Sequence, residues 1–289
     1  MITPATISSV RNKDANFIMY VLLASAVLMA VTIYWNWFAP QADYWPQLVG
    51  DIITILPAVA AAVAGTLLLR QFERDEKPRA VWFWFAMGWW AWVVGEVCST
   101  GYDVFKIPYG DLSVYDIFWT VGYLCFGLSL FYQYRNIYTT QTKVARAAFL
   151  GGVAAVLLVT LGFTQWALAA GLGEGMSWFA LFLAVFYPVC DLLAGVAALW
   201  LAFQFGRGTW GRPWWGLIVF AIADGINIFL WIGGDKLLPQ NVANFLDPLA
   251  STIYNGGYVA AMLGFFFILS LNFWPSVPAD EAAVRPAQS

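Results

Sequence analysis

The 289-residue chain contains no histidine, only 3 cysteines, and charged residues at just 11% of its length. The missing histidine removes the commonest metal ligand, the usual haem axial ligand and the usual general base at neutral pH. Cys98, Cys125 and Cys190 each sit in an apolar stretch without a CxxC spacing, so a disulfide framework is not expected and the thiols read as small apolar filler. A soluble domain carries roughly 25% charged residues. The scarcity here, beside 61% hydrophobic residues, a net charge of −3 and 17 tryptophans, describes a membrane protein. Tryptophan gathers where an apolar ring and a polar N–H are satisfied together at the bilayer surface.

A hydrocarbon core of about 30 Å needs about 20 apolar residues per helix. Eight windows qualify, at 16–38, 48–70, 80–102, 115–135, 145–169, 177–204, 213–234 and 248–272. The first follows Arg11 and Lys13, and its apolar run is too long for a signal peptide. Basic residues test the count, because cytoplasmic loops retain them. One side collects Arg11, Lys13, Arg70, Arg74, Lys77, Arg79, Arg135, Lys143, Arg146, Arg207, Arg212 and Arg285, and the other only Lys106 and Lys236, a split of 12 to 2. The expected organisation is a cell-membrane protein with both termini cytoplasmic. Residues 1–15 form the N-terminus, 16–135 and 136–272 two sets of four helices, and 273–289 a disordered Pro- and Ala-rich tail. No soluble output or catalytic domain is expected between the helices.

The halves resemble one another at fixed offsets. An offset of 128 lays Arg79 on Arg207, Trp82 on Trp210, Gly88 on Gly216, Glu96 on Asp224 and Ser99 on Asn227. An offset of 135 lays DIFWTVGY (116–123) on STIYNGGY (251–258), and 131 pairs Pro57 with Pro188 and Trp35 with Trp166. The fold class is therefore an all-α polytopic membrane protein of eight transmembrane helices in two four-helix repeats. An even number of helices per repeat gives both copies the same orientation, with an axis along the membrane normal.

Carboxylates at membrane depth are costly and mark candidate sites. Asp191 and Asp224 fall near the midplane, Glu96 in the outer third of its helix, and Asp51 and Asp116 at outer ends. No Lys or Arg lies at midplane depth to pair with them. Helical spacing gathers Trp89, Trp92, Glu96 and Ser99 on one stripe, and Asp116, Trp119 and Tyr123 on another. In the second half it gathers Asp224, Asn227 and Trp231, and Ser251, Asn255 and Tyr258. Asp191 and Tyr187 join these as members of one polar chamber in the second half. The candidate ligand-binding residues are Trp92, Glu96, Asp116, Tyr123, Asp191, Asp224, Asn227, Asn255 and Tyr258. Aromatic faces beside carboxylates suit an organic cation. The competing reading makes the same residues interhelical hydrogen-bonding glue. Pro57 and Pro188 should kink their helices, and the runs at 58–65, 151–155 and 194–198 allow close helix approach.

A Gly-bearing apolar helix with a late acid, a loop, and then Asp-x-x-x-x-x-Gly-Tyr opening the next helix resembles the multi-pass sensory module that precedes GGDEF domains in many bacterial diguanylate cyclases. Gly88 to Tyr123 carry the resemblance, and more loosely Tyr187 to Tyr258, through YPVCDLL and Asp224. The chain departs from that pattern in having no GGDEF or kinase domain and in carrying Ser251 where the first half has Asp116. The resemblance implies a signal-input membrane domain. With no catalytic constellation in the sequence, a non-enzymatic protein without cofactor or metal is expected, whose signal would have to pass to a separate cytoplasmic or membrane partner.

Three function classes stand side by side. One is a sensor or binding protein that takes a small molecule or lipid from the outer side. A second is a small proton- or cation-coupled transporter using the midplane carboxylates, against which same-direction repeats count. A third is an enzyme acting on a lipid or isoprenoid, for which Asp111 and Asp116 are the nearest approach to a Mg²⁺-binding acid pair and lack nearby Arg. A fourth class, a pigment-binding structural subunit, is weakened by the absence of histidine, and a retinal Schiff base is excluded, since no Lys lies within a span. Nucleic acid is not an expected partner.

Overall fold

The computed structural model describes residues 4–38, 44–108, 110, 112–137, 143–173, 177–205, 209–231 and 234–272. The tail at 273–289, Arg207 and Asp111 lie outside the described residues. Among those described there is no strand, and eight long helices carry the fold: α1 (Pro4–Phe38), α2 (Tyr44–Leu69), α3 (Lys77–Phe105), α4 (Val114–Ile137), α5 (Lys143–Gly173), α6 (Trp178–Phe205), α7 (Trp215–Trp231) and α8 (Gln240–Asn272).

Seven of these are long and apolar enough to cross a membrane. The segments Asn16–Phe38, Leu48–Leu69, Lys77–Phe105, Val114–Ile137, Arg146–Trp166, Trp178–Phe205 and Gln240–Ser270 match seven of the eight windows closely. The window at 213–234 is the difference. Its α-helix has 17 residues, at the short end of the spanning range, and it continues a six-residue 3-10 turn, Thr209–Trp214, that contains Pro213. Two boundaries also shift, because α1 already begins at Pro4 and α8 at Gln240. Pro57, Pro188 and Pro248 all lie inside continuous helices.

The hairpins α3–α4 and α7–α8 make the most extensive contacts, with α2 packed on α3 and α8, α6 on α7, and α4 more lightly on α6. The centre is aromatic. Trp89 is fully buried, Phe85 stacks on Trp214 at 4.5 Å between ring centroids, and Trp92 meets Phe220 edge to face at 4.8 Å. Lipid supplies no hydrophobic drive for helix association, so packing of such rings and interhelical hydrogen bonds must hold the bundle. α1 and α5 lie at the periphery, with only 11% and 6% of their apolar spans buried. α1 is tied to α8 at one end, where Asn36 Nδ2 and Trp37 Nε1 both donate to Thr252 Oγ1 at 3.2 Å.

α3 and α4 are joined in the core by Ser129, whose hydroxyl donates to Val81 O at 2.8 Å with both groups buried. A membrane-buried bond of this kind contributes about 0.6 kcal/mol. Ser129→Ala is expected to lower thermal stability in lipid nanodiscs by about that much, and a loss several times larger would show that the hydroxyl carries more of the interface than one bond.

α3 stops at Lys106, which adopts a left-handed conformation at φ 52 with its N–H on Asp103 O, while the next residue's N–H reaches Tyr102 O at 2.9 Å. That pair of bonds is the Schellman arrangement that closes a helix C-terminus. It places Glu96 two and a half turns inside the end.

Candidate functional site: an acidic, aromatic cavity

Glu96 lies late in α3 and Asp224 late in α7, whereas α4 and α8 enter at the same level with Tyr123, Tyr254 and Tyr258 in their first turns to middle. The antiparallel hairpins therefore bring acids and tyrosines together at one end of the bundle, the end that carries Lys106 and Lys236. Tyr254 and Tyr258 both donate to Glu96 Oε1 at 2.7 Å. Tyr123 donates to Asp191 Oδ1 at 2.7 Å and lies 3.5 Å from Asp224 Oδ2.

A cavity of about 410 Å³ opens among these groups. Its acids are Asp51 of α2, Glu96 of α3 and Asp224 of α7, and no Lys or Arg lines it among the described residues. Its rings are Trp35, Trp92, Trp119, Tyr123, Tyr187 and Tyr254, and its amides and hydroxyls include Asn36, Thr54, Ser99, Asn227, Ser251 and Asn255. Several polar atoms are buried without a hydrogen-bond partner among the described residues: Asp51 Oδ2, Asn255 Oδ1 and Trp119 Nε1, of residues that line the cavity, and Asp191 Oδ2 behind it. Buried polar groups are normally satisfied. The two acceptor oxygens, of Asp51 and Asn255, suit an N–H donor, whereas the Trp119 N–H calls for an acceptor.

The candidate residues separate into three groups. Trp92, Glu96, Tyr123, Asp224, Asn227 and Asn255 line the cavity. Tyr258 and Asp191 stand one layer out. Tyr258 is fully buried and holds Glu96, and Asp191, 3% exposed, is held by Tyr123. Asp116 does other work: its Oδ2 accepts the Ser113 N–H at 2.8 Å and its Oδ1 accepts from Tyr187 at 2.7 Å. Both oxygens are occupied in capping α4 and tying it to α6. The sequence Ser113-Val-Tyr-Asp116 is a capping-box spacing, so the signal was present.

The arrangement differs from the expected one in other respects. Separate chambers in each half do not form, because α3 and α4 of the first half and α6, α7 and α8 of the second contribute to the same cavity. Trp89 turns into the core instead of joining its stripe toward the site, and the side chain of Trp231 lies outside the described residues. Trp35 and Asn36 are additions that helical spacing within one segment does not reveal, since α1 reaches the site only through packing, whereas Asp51, one of the five acids marked by membrane depth, lines the cavity. Tyr254 was legible as the counterpart of Trp119 at an offset of 135.

Among the described residues no three acids or cysteines gather as a metal site, and the three cysteines are free. The fold and cavity define an all-helical, polytopic architecture compatible with a membrane, holding an acid-rich aromatic cavity at one end. The chain matches no family model, no curated protein and no solved structure.

Proposed function

We propose that the protein is a non-enzymatic sensor or ligand-binding protein of the cell membrane, which takes a small organic cation from the outer side and passes its occupancy to a separate partner. The observation that carries this reading is the cavity itself: three carboxylates and six aromatic rings line it, and no basic side chain lines it among the described residues. Cation–π attraction to desolvated rings adds about 2 kcal/mol, and a carboxylate supplies the counter-charge. The cavity end is the end poor in Lys and Arg, and the basic-residue split puts that end outside. Both termini are then cytoplasmic. The resemblance of Gly88 to Tyr123 to a bacterial sensory module agrees with this role.

The reciprocal hydrogen bonds support two repeats of the same orientation. Tyr123 of the first half reaches Asp224 of the second, and Tyr258 of the second reaches Glu96 of the first. Under the offsets of 128 and 135 these are the same pair exchanged. Gly122 faces Trp92 and Gly257 faces Phe220, and these four residues also exchange under the same offsets. A ligand between the acids would bear on both halves at once, which is a route from occupancy to helix movement.

The test is thermal stabilisation of the protein in nanodiscs by quaternary ammonium compounds and alkylamines, each paired with a neutral isostere. A cation at 100 times its dissociation constant should stabilise by about 2.7 kcal/mol, while the neutral partner leaves the melting temperature unchanged. Asp51→Asn should weaken binding several-fold, since it removes one of the three carboxyl groups that line the cavity. Equal shifts from cations and isosteres would overturn the reading.

One observation favours the transporter class as a second reading: Tyr123 bridges Asp191 and Asp224 in a short line of titratable groups. That line ends at Asp191. The remaining acids toward the basic end, Asp14, Glu73, Asp75, Glu76, Asp280 and Glu281, lie in the N-terminal segment, the loop before α3 and the C-terminal tail. Substrate flux in proteoliposomes that disappears in Asp224→Asn would decide for transport.

A further inference from the structure

The helix pair α3–α4 carries a second large opening at its other end, remote from the cation cavity. It is a cleft of about 550 Å³ between the start of α3 and the last turn of α4. Four cationic side chains line it, Arg74, Lys77 and Arg79 from the α2–α3 loop and first turn of α3, and Arg135 from α4, against the single acid Glu76 among the lining residues. None of the four forms an ion pair among the described residues. Arg79 is anchored, its guanidinium donating to Phe72 O, and Arg135 lies over the Phe131 ring at 5.9 Å. Glu76 occupies the N-cap position of α3 without a side-chain cap bond, so the positive end of the helix dipole adds to the same potential.

Beside the cations the wall turns aromatic, with Phe83, Trp84 and Tyr132. Phe83 is 41% exposed and Phe131 54% exposed on the adjoining surface of the bundle. Guanidinium groups match phosphate oxygens two at a time, and Trp and Tyr mark the depth at which headgroups meet acyl chains. A soluble anion needs only the cations. An apolar, outward-facing wall continuing from them suits a ligand that carries a phosphate and chains together.

We propose that this cleft binds the phosphate of an anionic phospholipid, with Arg74, Lys77 and Arg135 around the phosphodiester and the acyl chains along Phe83 and Phe131. Basic pockets between membrane helices recognise anionic headgroups in this way. The protein is purified in detergent, depleted of lipid, and titrated with phosphatidylglycerol, phosphatidylcholine and glycerol phosphate while thermal unfolding is followed. Phosphatidylglycerol is expected to raise the melting temperature by several degrees, and phosphatidylcholine and glycerol phosphate by less than one degree. The double variant Lys77→Gln with Arg135→Gln should lose most of that gain. The charge-matched control Arg70→Gln with Lys143→Gln, outside the cleft, should keep it. Equal losses in the two double variants would overturn the proposal in favour of diffuse surface charge, as would equal stabilisation by phosphatidylcholine. An equal shift with glycerol phosphate would overturn the lipid assignment.

Discussion

Glu96→Gln is expected to weaken the binding of organic cations by at least about 30-fold, or roughly 2 kcal/mol. Glu96 is the acid most firmly positioned in the cavity, because Tyr254 and Tyr258 both donate to Oε1 at 2.7 Å and leave the carboxylate fixed against the lining rings. Glutamine keeps the volume and still offers an oxygen to the tyrosines, so the bundle should melt within a degree or two of the native protein. The substitution removes only the charge, and an ammonium group would then face aromatic rings with one counter-ion fewer. Calorimetric titration in nanodiscs measures this directly. If Glu96→Gln binds cations as tightly as the native chain, the acids at this level are interhelical glue and the cation reading fails. Asp224→Asn provides the companion measurement from the other half, where the anchoring tyrosine is Tyr123 at the longer distance of 3.5 Å. Its smaller predicted effect follows from that weaker hold.

Gly122→Ala is expected to cost about 1–3 kcal/mol of stability, the range for overpacking a filled interior. A Cβ at Gly122 would run into the indole of Trp92, a ring 2% exposed whose Nε1 donates to Trp119 O at 3.2 Å. Trp92 cannot withdraw freely, since it also packs edge to face on Tyr123, Phe126 and Phe220. Because Trp92 lines the cavity, the same methyl group should weaken cation binding. Gly127→Ala, five residues further along α4, meets nothing within 4 Å and should be tolerated or slightly stabilising. Thermal unfolding of the two variants side by side gives the comparison. A Gly122→Ala protein as stable as Gly127→Ala would mean that α3 and α4 approach less closely than the Trp92 contact requires. Gly257→Ala is the matching change in the second half, where the Cβ would lie 2.7 Å from the Phe220 ring.

Much of the lining of the candidate cavity was readable before any contact was known. Glu96 and Asp224 were singled out by their depth and by the absence of basic partners, and Tyr123 and Tyr258 by the repeated Gly-Tyr at the start of their helices. Asp116 shared the same features of charge and position, yet it caps a helix. Its role depends on where its two oxygens point, and depth alone does not supply that. Trp89 likewise shares a stripe with Trp92 and Glu96, but the broad aromatic interface of α3 turns it into the core. The single cavity could not be derived from helical spacing, because spacing orders residues on one helix and says nothing about which helices meet.

Composition and hydropathy by themselves determined that the chain is helical and built for a bilayer. An unsatisfied backbone in hydrocarbon is too costly for any other open structure, and the apolar runs have the required length. They also determined which residues are chemically expensive enough to require an explanation. Tertiary structure alone decided that the acids and tyrosines of two hairpins exchange partners around one cavity, and that α7 is a 17-residue helix continuing a six-residue 3-10 turn. The physical reason is that lipid pushes no helix toward another. The choice of partner is left to close packing at small residues and to a few directional hydrogen bonds, and both arise between segments far apart in the chain.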